Sequence, residues 1–261
     1  MNSYKLKSYL SGKAKKAKET LEYLGHKQPK KLLFEHIPKC AGSSITAFLV
    51  RQYKPSTIFT VKGGSPLDSI QDFKNYPTKV RHSFDLILGH GAHQISKHAH
   101  PEMTKITIFR DPVDRVISHY YFILRTPRHY LHKEVKEKEL SLKEYVSSNL
   151  TSEITNNYIH RFLDSDKINI KSKSGEELTN LSFDIITQEY NAIGFLDEID
   201  SFMEKVCKMT NIPEVYNDLK RENVTHGRKS MNEIDSEIVN IIKERNHYDI
   251  TLYNKLKDFS A

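Results

Sequence analysis

Five short apolar, β-rich runs, Leu32 to His36, Thr57 to Val61, Phe84 to Leu88, Lys105 to Phe109 and Ala192 to Phe195, are separated by stretches of helical periodicity. Runs of this kind suit strands buried on both faces, and helical connections between them suit parallel pairing, because parallel neighbours need a crossover. The expected fold class is α/β, a parallel β-sheet flanked by helices on both faces. At 261 residues and 38% hydrophobic, the chain has material for one large core, so a single domain with insertions is expected. The segment Leu131 to Asn180 is charged and lacks strong strands. It reads as a helical insertion with an exposed loop at Lys171 to Gly175. From Glu233 to Phe259, isoleucine and leucine spacing suggests one long or broken C-terminal helix.

Charge is unevenly placed. The net charge is +7, and residues 1 to 31 alone hold nine lysines and two acids, 9 − 2 = +7. The remaining residues carry no excess, so the core has no broad basic field to offer nucleic-acid phosphates, and no nucleic-acid partner is expected. Leu10, Ala14, Ala17, Leu21 and Leu24 recur at helical spacing and Gly25 follows them, which marks residues 1–30 as a basic amphipathic helix ahead of a main domain at 31–261. That helix either packs one face on the domain or meets an anionic membrane surface or acidic partner. No stretch is long and apolar enough for a transmembrane segment or a signal-peptide core, so a soluble protein is expected. The two cysteines, Cys40 and Cys207, stand in no metal-ligand spacing and suit a reducing compartment.

Two strand-to-helix turns carry the chemistry. In the first, Leu32 to His36 delivers the chain to Ile37-Pro38-Lys39, and Ser43 or Ser44 is placed to cap a helix that buries Ile45, Phe48 and Leu49. The backbone N–H groups of Cys40, Ala41, Gly42, Ser43 and Ser44 would then converge on a compact tetrahedral anion, with Lys39 as a mobile charge beside it. This is no Walker loop, since the lysine precedes the glycine. In the second, Arg110 ends a strand, Asp111 is an N-cap, and Pro112 suits the first helical position. Arg115 and Ser118 share a face of the helix that follows and are candidates to join Arg110 on a second phosphate; pairing of both arginines with Asp111 and Asp114 is the competing reading.

Together, His36-Ile37-Pro38-Lys39-Cys40-Ala41-Gly42-Ser43-Ser44 and Arg110-Asp111-Pro112 running to Ser118-His119-Tyr120-Tyr121 resemble the sulfotransferases that use 3′-phosphoadenosine 5′-phosphosulfate (PAPS). The likeness is to the carbohydrate branch that includes the heparan and dermatan 2-O-sulfotransferases, from about Leu32 to Tyr253. The resemblance implies a P-loop-like sheet, PAPS as donor with 3′-phosphoadenosine 5′-phosphate (PAP) as product, no required metal, and a hydroxyl acceptor, carbohydrate favoured. It implies that Lys39 binds the phosphosulfate bridge, that Cys40 to Ser44 cradle the 5′ end, and that Arg110 and Ser118 hold the 3′-phosphate. Arg228 and Lys229 resemble a later element that closes over that phosphate. Cys40 stands where the family usually has threonine. The family also places a histidine base after a Gly-His element, and Leu86 to His90 fits, making His90 the candidate base.

The crowding of His90, His93, His98 and His100 invites a metal reading, but apart from Glu102 no carboxylate or cysteine joins them at a familiar ligand spacing. His36 reads as structural, bonded to a nearby carbonyl. Tyr120, Tyr121, Tyr130 and Tyr158 are candidate stacking surfaces for an acceptor, or core. Two other functions stay open: a nucleotide kinase-like phosphoryl transferase, and a non-catalytic nucleotide-binding module acting through the basic helix. Animal members of the branch carry a membrane anchor, so the resemblance suggests a cytoplasmic, bacterial enzyme here.

Overall fold

The computed structural model describes residues 29–163, 169–213 and 231–260. The expected amphipathic helix at residues 1–30 therefore lies almost entirely outside the described residues, as do Arg228 and Lys229.

Among the described residues, five strands form one parallel sheet: β1 Leu32–Glu35, β2 Ile58–Val61, β3 Leu86–Gly89, β4 Thr104–Phe109 and β5 Ala192–Phe195. Their order across the sheet is β2-β3-β1-β4-β5. The strands alternate their apolar side chains between two cores. Leu32, Phe34, Leu86, Leu88, Ile106 and Ile108 enter the larger one, whereas Leu33, Ile87 and Val61 enter a smaller one on the opposite face. That two-sided burial is why the strands read as near-continuous apolar runs.

Around the sheet lie α1 Gly42–Leu49, α2 Pro66–Asn75, α3 Pro112–Arg125, α4 Leu142–Ser147, the single turn α5 Tyr158–Arg161, α6 Gly175–Glu189, α7 Ile199–Thr210, α8 Ser236–Arg245 and α9 His247–Ser260. A third apolar cluster joins α3, α4 and α8 through Val116, Ile117, Ile123, Tyr145, Val146 and Ile242. It gives the charged 131–180 segment its own small core beside the sheet. No helix among the described residues is long and apolar enough to cross a membrane.

Two local features refine the expected insertion and C-terminal helix. Lys171 to Gly175 is largely exposed, as expected, and its end starts a helix: Ser174 closes a capping box with Glu177, and Gly175 opens α6. A Cβ at Gly175 would fall 2.0 Å from the Tyr248 ring, so only glycine lets α6 start against α9. Of the two readings of the C-terminal helix, the broken one holds, with the break at Asn246. Its buried amide donates to Ile154 and Ile242 carbonyls at 2.9 Å each and accepts from the Asn156 N–H at 3.0 Å, tying the break to the insertion.

The strand order sets the site. From β1 the chain leaves toward β2 and from β4 it leaves toward β5, so the carboxyl ends of these adjacent strands face a crevice where open α/β sheets bind ligands.

Candidate active site

The turn after β1 is built from unusual backbone. Lys39 and Ala41 have φ of 68° and 58°, the left-handed region that costs a non-glycine residue about 1–2 kcal/mol. Such strain is retained where surrounding structure imposes it, commonly at functional sites. Ala41, not Ser43 or Ser44, is the N-cap of α1, and no side chain caps it. The expected serine cap is thus replaced by a backbone one. The Cys40 N–H donates to Ile37 O at 3.3 Å and the Ser44 N–H to Ala41 O at 3.1 Å, so two of the five amides expected to face an anion are already engaged. Those of Ala41, Gly42 and Ser43 open the helix, where N–H groups have no intrahelical acceptor and the dipole is positive.

Gly42 is required by its neighbour. A Cβ there would lie 1.8 Å from the His36 imidazole, whose ring covers the start of α1. His36 is structural as expected, but through ring contacts: it stacks on Phe34 at 5.8 Å and meets His90 at 4.3 Å between centroids. Burial first, then the His90, Arg161 and Lys39 charges, lower its pKa to about 3, so its ring is neutral. Cys40 turns inward, its Sγ 3.3 Å from the Tyr158 hydroxyl, and burial raises its pKa.

The turn after β4 touches this one directly. Arg110 donates from Nη1 to Lys39 O at 3.0 Å and from Nε to Asp114 at 2.5 Å. Its side chain stays partly exposed. Asp111 caps α3 by accepting from the Asp114 N–H at 2.9 Å, with Pro112 in the first turn. Ser118, nearly buried, follows Asp114 by one helical turn and so shares the Arg110 side of α3. Lys39 extends to the same helix, Nζ lying 3.7 Å from the centroid of the Phe122 ring.

Arg115 does not join them. It is fully buried, donating from Nη1 to Glu153 Oε2 at 3.0 Å and from Nη2 to the Glu153 carbonyl at 2.6 Å, and its Nε has no partner among the described residues. The competing pairing is therefore right for Arg110 with Asp114, while Arg115 pairs with a residue of the insertion. Tyr158 is likewise no stacking surface. Fully buried, it donates to Arg110 O at 2.8 Å and accepts from the Arg110 N–H at 3.4 Å, so one phenol pins both turns. Of the other tyrosines considered for stacking, Tyr120 is buried with its hydroxyl on Leu140 O, and Tyr130 is exposed.

The turn after β3 brings His90 to the same end of the sheet. Gly89 and Gly91 flank it with φ of 129° and 90°, and a Cβ on Gly89 would strike Val61 O at 2.4 Å. His90 Nδ1 lies 2.5 Å from His36 O. A carbonyl can only accept, so Nδ1 carries the proton and Nε2 holds the lone pair. Burial lowers the His90 pKa, helped by the Arg161 and Lys39 charges; the bond to His36 and the Glu153 charge act the other way. The imidazole is accordingly a neutral base at physiological pH.

A family model described as the sulfotransferase family matches residues 26–255. The chain belongs to the sulfotransferase family. Transfer of a sulfuryl group is the chemistry that this membership supports. No curated protein is similar enough to the chain to add a particular acceptor.

Other charged groups in this sulfotransferase complete the setting. Burial would raise the Glu153 pKa, but the Arg115 and Arg161 charges outweigh it and hold the carboxylate ionised. His93 turns inward onto the Tyr190 hydroxyl at 3.2 Å and His100 meets the His82 ring at 5.2 Å, so these histidines diverge from His90 rather than gather round one point. Sequence reasoning missed Glu35, Glu153 and Arg161. Glu35 left a trace, a charge inside an apolar strand. Glu153 and Arg161 sit in a uniformly charged segment where no spacing distinguishes them.

Proposed function

We propose that this sulfotransferase moves the sulfuryl group from PAPS to an acceptor hydroxyl, on a carbohydrate or glycoconjugate, with His90 as general base. The observation that carries the reading is the His90 tautomer: with Nδ1–H committed to His36 O, the lone pair on Nε2 is held beside the Lys39 turn. PAPS supplies an activated sulfuryl group on a phosphate leaving group. The Ala41, Gly42 and Ser43 amides and Lys39 suit its 5′ end, and the Arg110 guanidinium suits its 3′-phosphate, with Ser118 on the same side of α3. Arg228 and Lys229, outside the described residues, are further candidates for that phosphate through the resemblance of their short motif. Ala41 and Lys39 in the left-handed region, and a helix N-terminus free of any side-chain cap, support the fit.

His90 Nε2 takes the acceptor proton as the acceptor oxygen bonds to sulfur, and Lys39 with the α1 amides stabilises the electron pair left on the phosphate as the sulfur–oxygen bridge breaks. Glu153 is the weaker candidate base, since two guanidiniums depress its basicity.

The test is transfer of labelled sulfate from PAPS into pooled carbohydrate acceptors, with His90→Ala alongside. Transfer that is metal-independent and falls at least about 10²-fold in His90→Ala supports the reading. Labelling that needs ATP and magnesium would point to phosphoryl transfer, and PAP binding without turnover on any acceptor would point to a binding module.

A further inference from the structure

The turn that carries His90 has glycine on both sides, each in a backbone region with few intrinsic restraints, so its shape has to be imposed from outside. One buried side chain does this. Glu35, the last residue of β1 and the register partner of Gly89, has no solvent exposure. Its Oε1 accepts from the Gly91 N–H at 3.1 Å and its Oε2 from the His93 N–H at 2.8 Å. Arg161 Nη1 lies 3.7 Å from Oε1 as the counter-charge. Arg161 is itself held by Asn157 at 3.1 Å and by Glu153 at 3.4 Å. The apolar positions around Glu35 in β1 give no structural demand for a carboxylate there, and burying one is costly unless hydrogen bonds and a partner compensate.

We propose that Glu35 is a positioning residue for His90, its carboxylate clasping the amides of Gly91 and His93 so that His90 Nδ1 stays on His36 O and Nε2 faces the acceptor. The inference rests on the reading of His90 as base, but its own readout does not. Glu35→Gln keeps the shape and presents an NH₂ where one amide N–H needs an acceptor. Nitrogen-15 shifts of the His90 ring in labelled protein report the tautomer directly, assigned with His90→Asn. Native protein should show Nδ1 protonated; Glu35→Gln should show a mixture of tautomers. The kcat for sulfate transfer should drop on the order of 10- to 100-fold, because small misplacements of a reacting group cost that much, while the Kd for PAP stays within about twofold.

Native tautomer and native kcat in folded Glu35→Gln would overturn the proposal, as would loss of PAP affinity in step with kcat, which means general collapse of the site. Should Glu35→Gln fail to fold, Arg161→Gln withdraws the counter-charge together with its bonds to Asn157 and Glu153, so the His90 ring shifts are read beside kcat: mixed tautomers with PAP affinity kept are expected, and a native tautomer there counts against the proposal. If His90→Asn turns over normally, the base assignment falls, and the ring shifts in Glu35→Gln still decide the positioning.

Discussion

The turns after β1 and β4 look alike in sequence, each a strand end followed by a cation and a helix, yet they are built on opposite plans. The first holds its shape through backbone: two left-handed residues, a glycine under an imidazole, and a helix start with no side-chain cap. The second holds its shape through side chains, with Asp111 capping α3, Asp114 on Arg110, and Glu153 on Arg115. A backbone cradle keeps its donors pointed at a ligand without spending a side chain, whereas in the second turn most charge is already paired. Counting cations in a motif therefore overstates what reaches a ligand: of Arg110 and Arg115, only Arg110 stands at the crevice.

The comparison can be broken by mutation. Lys39→Ala should remove the one side-chain cation of the first turn and slow transfer on the order of 10²- to 10³-fold while leaving the unfolding temperature unchanged; an equal loss of stability would show that Lys39 is structural. Arg115→Leu should do the reverse. Taking away the buried guanidinium leaves the half-buried Glu153 with Arg161 alone, a loss of about 2 kcal/mol by urea unfolding, with PAP affinity in the remaining folded protein unchanged.

The pH profile offers a milder test. Only neutral His90 can take a proton, and burial places its pKa below the usual 6.5. Activity should therefore hold as pH falls through 6.5 and decline only below it; an acid limb in kcat/KM centred above 6.5 would argue for another base. The smallest effect is expected of Cys40→Thr. Because Sγ faces Tyr158 and not the crevice, donor affinity should change by less than about twofold in a titration with PAP, and a larger gain would mean that the family's usual threonine contacts the ligand.

The sheet was legible because strands buried on both faces are apolar throughout, and each of the five runs became a strand within a residue or two of its expected bounds. The cap of α3 was legible too, since Asp-Pro at a helix start has a local physical meaning. What escaped were features decided at long range. Ser43 and Ser44 looked like caps until the left-handed Ala41 displaced them, and Arg115 looked like a ligand until the insertion supplied Glu153. Glu35 clasps Gly91 and His93 across more than fifty residues of chain, a relation that no local pattern encodes.

On the proposed function, the two turns hold the two ends of one donor. Calorimetric titration with PAP and with AMP, which lacks the 3′-phosphate, tests it most directly when repeated on Arg110→Ala. The native protein should bind PAP at least about tenfold more tightly than AMP, a difference of about 1.4 kcal/mol, and Arg110→Ala should erase that preference while still binding AMP. Equal binding of PAP and AMP by the native protein, or a preference that survives Arg110→Ala, would contradict it.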